Sequence, residues 1–397
     1  MIKISEYAQR IEESATMAIS ARAKAMKKAG QDVIAMAAGE PDFNTPAHIV
    51  AAAKQALDDG FTRYTPASGM PELRAAWAEQ VGRSRNVTYE PNQLIVTAGG
   101  KQAIYNIIYA LAGPGDEVII PAPYWVSYPE QVRAVGATPV ILETDPQQDF
   151  KISPHSLRQA ITERTRLLIL NSPSNPTGSV YSRDELAALA DVLVEKGVPV
   201  LSDEVYDALV YGEEFVSIVS LGEEIYKLTI VSGAVSKTYA MTGWRIGYAA
   251  GPVEVIAAAG RLQSHSTSNP NAIAQKAALA AITGDQSQVE AMRQEFDRRR
   301  QYMLGRLAAM PHITCPEPRG AFYAFPYIAA YYGRRYDGEV INGSMDFSRL
   351  LLEHEKVATV PGLAFGADAH VRLSYATGMA QIEEAMNRME RFLSRLT

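Results

Sequence analysis

The chain has 397 residues, 47% of them hydrophobic, with 38 basic and 44 acidic side chains and a formal net charge of −6. That apolar share belongs to an ordinary globular protein, and at this size roughly three quarters of the unfolded surface can be buried, which excludes a disordered or collagen-like chain. Cys315 is the only cysteine, so neither an internal disulfide nor a cysteine-based metal cluster can form, and no metal site is expected.

In chain order, the first residues lack the basic and apolar regions of a signal peptide. No later apolar run approaches the ~20 residues of a membrane span, so a cytoplasmic protein is expected, with no membrane partner. A helix is predicted over residues 14–29. Thr45 and Pro46 open another over 46–59, with Gly60 as its stop. Seven β-branched runs follow, at 94–97, 117–120, 138–142, 166–170, 198–202, 227–231 and 246–249. Several are separated by enough chain for a crossover helix, and Ser182 and Glu185 form a capping-box pattern before one of them. This reads as α/β: a mostly parallel seven-stranded sheet with helices on both faces. After residue ~290 the character changes to a smaller α+β unit. It has a long helix over 289–310, a segment at 320–325, a helix near 344–354, short strands near 357–360 and 371–374, and a last helix over 380–396. The expected domains are therefore an N-terminal segment, 1–45, packing with the small domain, a large domain, 46–290, and a small domain, 291–397. The densest basic run, Arg298-Arg299-Arg300, falls inside the long helix and reads as a solvated face. A mildly acidic chain with no longer basic cluster is not expected to bind nucleic acid.

Four segments carry chemistry. Ser236-Lys237-Thr238-Tyr239-Ala240-Met241-Thr242-Gly243-Trp244-Arg245 sets one lysine among small and apolar residues. Burial there would favour its neutral amine, the species that forms Schiff bases with carbonyls; the plain alternative is a surface lysine beside a glycine turn. Val200-Leu201-Ser202-Asp203-Glu204-Val205-Tyr206 ends an apolar strand in an acidic pair, where open α/β sheets bind ligands; Asp203 could meet a ligand cation or cap a helix. Asn171-Ser172-Pro173-Ser174-Asn175-Pro176 follows another strand, either as a turn or with the Asn175 amide donating to a ligand oxygen. Thr97-Ala98-Gly99-Gly100-Lys101 leads a strand into a helix, either as a tight turn or as a phosphate cup at the helix N-terminus.

Together these are the parts of a pyridoxal-phosphate site. In this order and spacing, with Ala38-Gly39-Glu40-Pro41-Asp42-Phe43 near the start and Val371-Arg372-Leu373-Ser374-Tyr375 near the end, the chain resembles the class I/II aminotransferases. These are fold type I pyridoxal-phosphate enzymes, and the likeness is greatest to the bacterial aspartate aminotransferase branch. The resemblance implies that Lys237 carries the cofactor and moves the proton, that Asp203 pairs with the ring nitrogen, and that Tyr206 and Asn175 bond the ring oxygen. It implies that Trp125 stacks on the ring, and that Gly99, Gly100, Lys101 and Arg245 hold the phosphate. Tyr64 would reach the phosphate of a neighbouring subunit, making a homodimer with shared sites. Arg372 and the Gly39 backbone would bind the substrate α-carboxylate, with Trp125 and Asn175 also facing the substrate.

The expected reaction is a ping-pong transfer of the amino group from an L-amino acid, aspartate foremost, to a 2-oxo acid, 2-oxoglutarate foremost. A C–S lyase, a broader or aromatic donor range, and a non-catalytic regulator module are the alternatives. The last usually carries an extra basic domain, for which the early Ala38–Phe43 match leaves no room. Three departures stand out. Ala234 occupies a place where many relatives have a phosphate-binding hydroxyl. The stretch from Gln263 to Pro270, around Ser264, holds no arginine of the kind with which the animal-type branch reads a distal carboxylate; the resemblance to the bacterial branch implies that Lys101 and hydroxyls near Ser14 and Thr16 serve instead. Glu12 stands where prephenate-accepting relatives tend to carry lysine, so little prephenate activity is expected.

Overall fold

The computed structural model describes residues 2–12 and 15–397. The seven expected strands form one sheet: β1 (Leu94–Thr97), β2 (Glu117–Pro121), β3 (Thr138–Leu142), β4 (Thr165–Asn171), β5 (Val200–Asp203), β6 (Thr229–Ala234) and β7 (Gly247–Ala250), in the spatial order β1-β7-β6-β5-β4-β2-β3. β7 runs antiparallel to both its neighbours and the other pairings are parallel.

Side chains alternate across the sheet. Leu94, Val96 and Val231 face Trp77, Ala274 and Ala278 in one core, whereas Ile95, Ile230 and Leu201 face Ile104, Ile107 and Tyr128 in another. The helices that cover them include α1 (Pro71–Arg85), α2 (Gly100–Leu111), α3 (Ser127–Ala134), α4 (Arg183–Lys196) and α5 (Ala272–Thr283). α4 begins with the expected reciprocal capping of Ser182 and Glu185. The helix predicted over 46–59 runs Ala47–Asp58, with Pro46 at its cap position. Thr45 does not cap it; its hydroxyl donates instead to the Ala240 carbonyl.

The C-terminal elements gather round a three-stranded antiparallel sheet of β8 (Tyr323–Ala324), β9 (Val360–Pro361) and β10 (Val371–Ser374), in the order β9-β10-β8. A separate core joins β8 and β10 to α6 (Ser287–Ala309), α7 (Ser344–Glu355) and α8 (Met379–Ser394), while Val360 of β9 packs in a further one with Leu352 and Phe365. Ile34 and Met36 from the N-terminal region belong to the same core.

The arginine triplet corrects one expectation. Arg298 is exposed, but Arg299 and Arg300 are buried. Arg299 donates to Asp42 at 2.7 Å and lies over the Phe43 ring, while Arg300 bonds Asp297 and Glu317. Long arginine stems can pack against apolar surface while the head finds a carboxylate, and here both heads do. Arg299 thereby ties the long helix to the 39–45 loop.

Candidate active site

The strand ends of the large sheet and the face of the small one enclose a cavity of ≈ 380 Å³. Its lining brings together Gly39, Gly100, Lys101, Trp125, Asn175, Asp203, Tyr206, Lys237, Arg245 and Arg372. Two predicted positions stand apart from it. Gly99 sits just behind the lining as the cap of α2, and Tyr64 is 91% exposed on the surface. Ser14 and the side chain of Thr16 lie outside the described residues.

Lys237 follows β6 on a single helical turn, and its Nζ donates to the Gly39 carbonyl at 2.5 Å. Burial, reinforced by Arg372 and Arg245 and opposed by Glu40, brings its amine down to about 8. About a tenth of it is therefore neutral at pH 7, far more than for an exposed lysine. Opposite, Asp203 ends β5 with a buried carboxylate that accepts from the Tyr128 hydroxyl at 2.5 Å. Burial pushes it up to about 6, against that hydrogen bond. A buried carboxylate of this kind is stabilised in its charged form by a cation brought alongside it.

The Asn175 amide has a fixed orientation. Arg372 Nη1 donates to its Oδ1 at 2.9 Å. A guanidinium can only donate, so the amide nitrogen is left free to donate elsewhere. The same loop is anchored by Asn171, which accepts from the Asn175 N–H and donates to the Asp203 carbonyl. Tyr206 and Tyr323 share a hydroxyl–hydroxyl bond of 2.9 Å. Arg372 comes from the interior of β10, lies over the Tyr323 ring at 4.3 Å and donates Nη2 to the Ala37 carbonyl. Its Nε is buried without a hydrogen-bond partner.

At the other end, α2 starts at Gly100; the Gln102 N–H turns back to the Gly99 carbonyl, while the N–H groups of Gly100 and Lys101 have no helical carbonyl to bond. Gly99 precedes it at φ +86°, where a Cβ would stand 2.5 Å from Arg245 Nη2. Only a glycine lets that guanidinium come so close. Gly247 has a similar reason to lack a side chain, since a Cβ there would meet Gly100 N at 2.4 Å. The result is a cradle of backbone N–H groups, a guanidinium and the Ser236 side chain, all suited to an anion. Ala234 does line the cavity without a hydroxyl, as expected. The Lys101 ammonium lies 4.9 Å from the centre of the Trp125 ring, and burial, with Arg245 adding, lowers its pKa.

Pyridoxal phosphate fits this donor set, with a cradle for its phosphate, a buried acid for its ring nitrogen and an amine for its carbonyl. Sequence reasoning missed Tyr128 and Tyr323. Tyr128 stands on the first turn of α3, where its N–H bonds the Trp125 carbonyl and its ring meets the Trp125 ring edge-on. Tyr323 had no local signal, because only tertiary packing sets it beside Tyr206.

Residues 31–389 match the family model for aminotransferase class I and II. The chain belongs to that family. Its members work with pyridoxal phosphate, and the chain is aspartate aminotransferase-like. It is 48% identical over 396 residues to an aspartate aminotransferase of Geobacillus stearothermophilus, with 99% of each chain covered. It is 46% identical over 400 residues to an aspartate/prephenate aminotransferase of Cereibacter sphaeroides, with both chains covered completely. Among solved structures, the aspartate aminotransferase of Rhizobium meliloti superposes with a TM-score of 0.96 at 41% identity, again covering both chains in full. That of Thermus thermophilus with maleate gives 0.93 at 42% identity, covering 99% of this chain and 100% of the other. Among the described residues no helix is long and apolar enough to cross a membrane, and no cluster of side chains could hold a metal ion.

Proposed function

We propose that this aminotransferase moves the amino group of L-aspartate to 2-oxoglutarate in two half-reactions that share one site. The observation that carries the reading is the placement of the Lys237 amine, the Asp203 carboxylate and the Arg372 guanidinium around a single cavity. Pyridoxal phosphate, when bound, supplies a carbonyl that takes the amino group and a ring that accepts the electron pair left at the substrate Cα.

The chain's own residues do the rest. Lys237 holds the cofactor through its amine. Once displaced by the substrate, it carries the proton away from Cα as a base and returns it as an acid, for which a pKa of about 8 suits it. Asp203, kept in place by Tyr128, faces the ring nitrogen. Asn175 and Tyr206 donate to the ring oxygen, and Trp125 covers the ring face. Gly99, Gly100, Lys101 and Arg245 receive the phosphate. Arg372 offers a planar fork to the α-carboxylate, beside the Gly39 backbone. Tyr64, too exposed to serve its own cavity, reaches that of a second copy in a homodimer. The proposed division at 45/46 and 290/291 has the support that the C-terminal core is a cluster distinct from those flanking the large sheet and takes in Ile34 and Met36, with Tyr206, Leu209 and Tyr211 the buried residues of 46–290 that join it.

Lys101 is the proposed partner of the distal carboxylate, and the maleate bound to the Thermus relative supports a dicarboxylate substrate. The relatives named for prephenate favour a second reading, a wider acceptor range. Against it, Glu12 is a carboxylate whose N–H bonds Glu130, and its charge is felt at Tyr124, next to Trp125. An anionic side chain would be repelled there. The deciding experiment is an absorbance scan of the protein loaded with pyridoxal phosphate. Aspartate should abolish the visible band and 2-oxoglutarate restore it, with prephenate much slower. Pyruvate and ammonia as products would replace transfer by elimination, and no visible band would overturn the reading.

A further inference from the structure

The turn after β5 has two sides. Asp203 and Tyr206 line the candidate active site, whereas Glu204 and Asp207 line a different cavity of ≈ 410 Å³ behind it. Each pair is three residues apart, and the turn between them is closed by the Asp207 N–H to the Glu204 carbonyl and by the Leu209 N–H to the Tyr206 carbonyl. The two rear carboxylates are gripped by one side chain. Arg85, the last residue of α1, donates Nε to Glu204 at 2.6 Å and Nη2 to Asp207 at 2.8 Å.

This grip is built into the interior. The Arg85 and Glu204 side chains are 2% and 1% exposed. Glu204 also accepts from the Ser202 hydroxyl at 2.8 Å and from the Ser217 hydroxyl. Arg85 gives its remaining Nη1 to Ser84 and lies against the Phe215 ring. Burial works against the charge on Arg85, but Glu204 and Asp207 outweigh it and keep the guanidinium protonated. A fork that meets two carboxylates in fixed directions sets an angle as well as a distance.

We propose that Arg85 is a positioning residue for the reaction: by clamping Glu204 and Asp207 from behind, it sets the direction in which Asp203 and Tyr206 face the cofactor. The inference rests on the pyridoxal-phosphate reading above. It differs from simple charge neutralisation, in which any arrangement without an orphaned buried carboxylate would serve equally well.

The test compares the loaded wild type with two variants. In the double variant Arg85→Met/Glu204→Gln both fully buried charges are gone, and the Asp207 carboxylate that loses its partner is 30% exposed, so water can solvate it. Asp207→Ala removes one leg of the clamp at its more exposed end. Melting temperature, the pH midpoint of the visible absorbance change, kcat and KM are measured. Clamping predicts that the double variant recovers a near-wild-type melting temperature but shifts the absorbance midpoint by at least ~0.5 pH unit. Its kcat should fall ~10-fold with KM nearly unchanged, because the loss falls on the reacting state. Asp207→Ala should shift the midpoint in the same direction by less. A double variant with wild-type midpoint and kcat overturns the proposal. If it does not fold, an unmoved midpoint in Asp207→Ala does so instead. A wild type that shows no visible band with pyridoxal phosphate defeats the functional reading; a normal wild type with unmoved variants defeats this inference alone.

Discussion

The two walls of the cavity are built differently. The wall from the seven-stranded sheet delivers its residues from strand ends, with Asn171 closing β4, Asp203 closing β5 and Lys237 one turn beyond β6. Their positions follow from strand register and from hydrogen bonds at the ends of the ladder. On the wall from the small sheet, Arg372 comes from mid-strand and lies against the rings of Tyr323 and Phe365. Its position follows from aromatic packing. In the proposed function the first wall supplies the amine that moves the proton and the acid that pairs with the ring, and the second supplies the guanidinium that holds the substrate carboxylate. Damage to the first should appear in kcat, and damage to the second in KM.

The largest effect is expected on the first wall. Lys237→Ala should bind the cofactor yet lose at least ~10³-fold in kcat, because the variant removes both the covalent carrier and the proton carrier. Near-wild-type turnover would contradict the division of labour. On the second wall, Arg372→Leu should raise KM for the amino acid by ~100-fold, the loss of a two-pronged charged contact worth about 3 kcal/mol. Arg372→Lys should not restore it, since an ammonium cannot reach both Asn175 and Ala37 in one plane. A change confined to kcat would erase the contrast.

A smaller effect is expected from Tyr128→Phe. Loss of the bond to Asp203 should lower kcat ~10-fold with little change in KM, as for a hydrogen bond to a charged group worth about 1.5 kcal/mol. Lys101→Ala sharpens the substrate question. It should raise KM for aspartate ~10-fold and leave alanine almost unaffected.

The aromatic wall also has a pH limit. His370, two residues before Arg372, stacks on Phe325 and is buried, which brings it down to about 4. The unfolded chain takes up this proton near pH 6.5, before the folded chain does. Stability therefore falls as pH drops from about 6.5 to 4, and the loss reaches about 2 kcal/mol at pH 5. Melting temperatures of the wild type and His370→Asn between pH 7 and 5 should converge or cross; parallel curves would refute the assignment.

The same contrast governs how much could be read from the sequence. All seven strands of the large sheet were legible, because buried β-branched runs leave a plain pattern. Their carboxyl ends were less so. Asn171, Asp203 and Ala234 lie within the strands but past the runs at 166–170, 198–202 and 227–231, since polar or small residues do not extend an apolar pattern even where the ladder continues. Those are the positions that line the cavity. The residues assigned by resemblance nearly all converge on the cavity. Tyr323, and the burial of Arg299 and Arg300, depend on partners far away in the chain, and no local spacing announces such contacts.

The hydroxyl pair of Tyr206 and Tyr323 has one more consequence. Two oxygens 2.9 Å apart have room for a single hydrogen between them. When Tyr323 supplies it, Tyr206 keeps its own hydrogen for a third oxygen; when Tyr206 supplies it, that third oxygen finds only lone pairs. The pair is thus a one-way wire whose direction is chosen by whatever it touches. In the proposed function an electron-rich ring oxygen would select the first direction, and by turning both hydroxyls it would make the small sheet a party to the electronic state of a ring held by the large one.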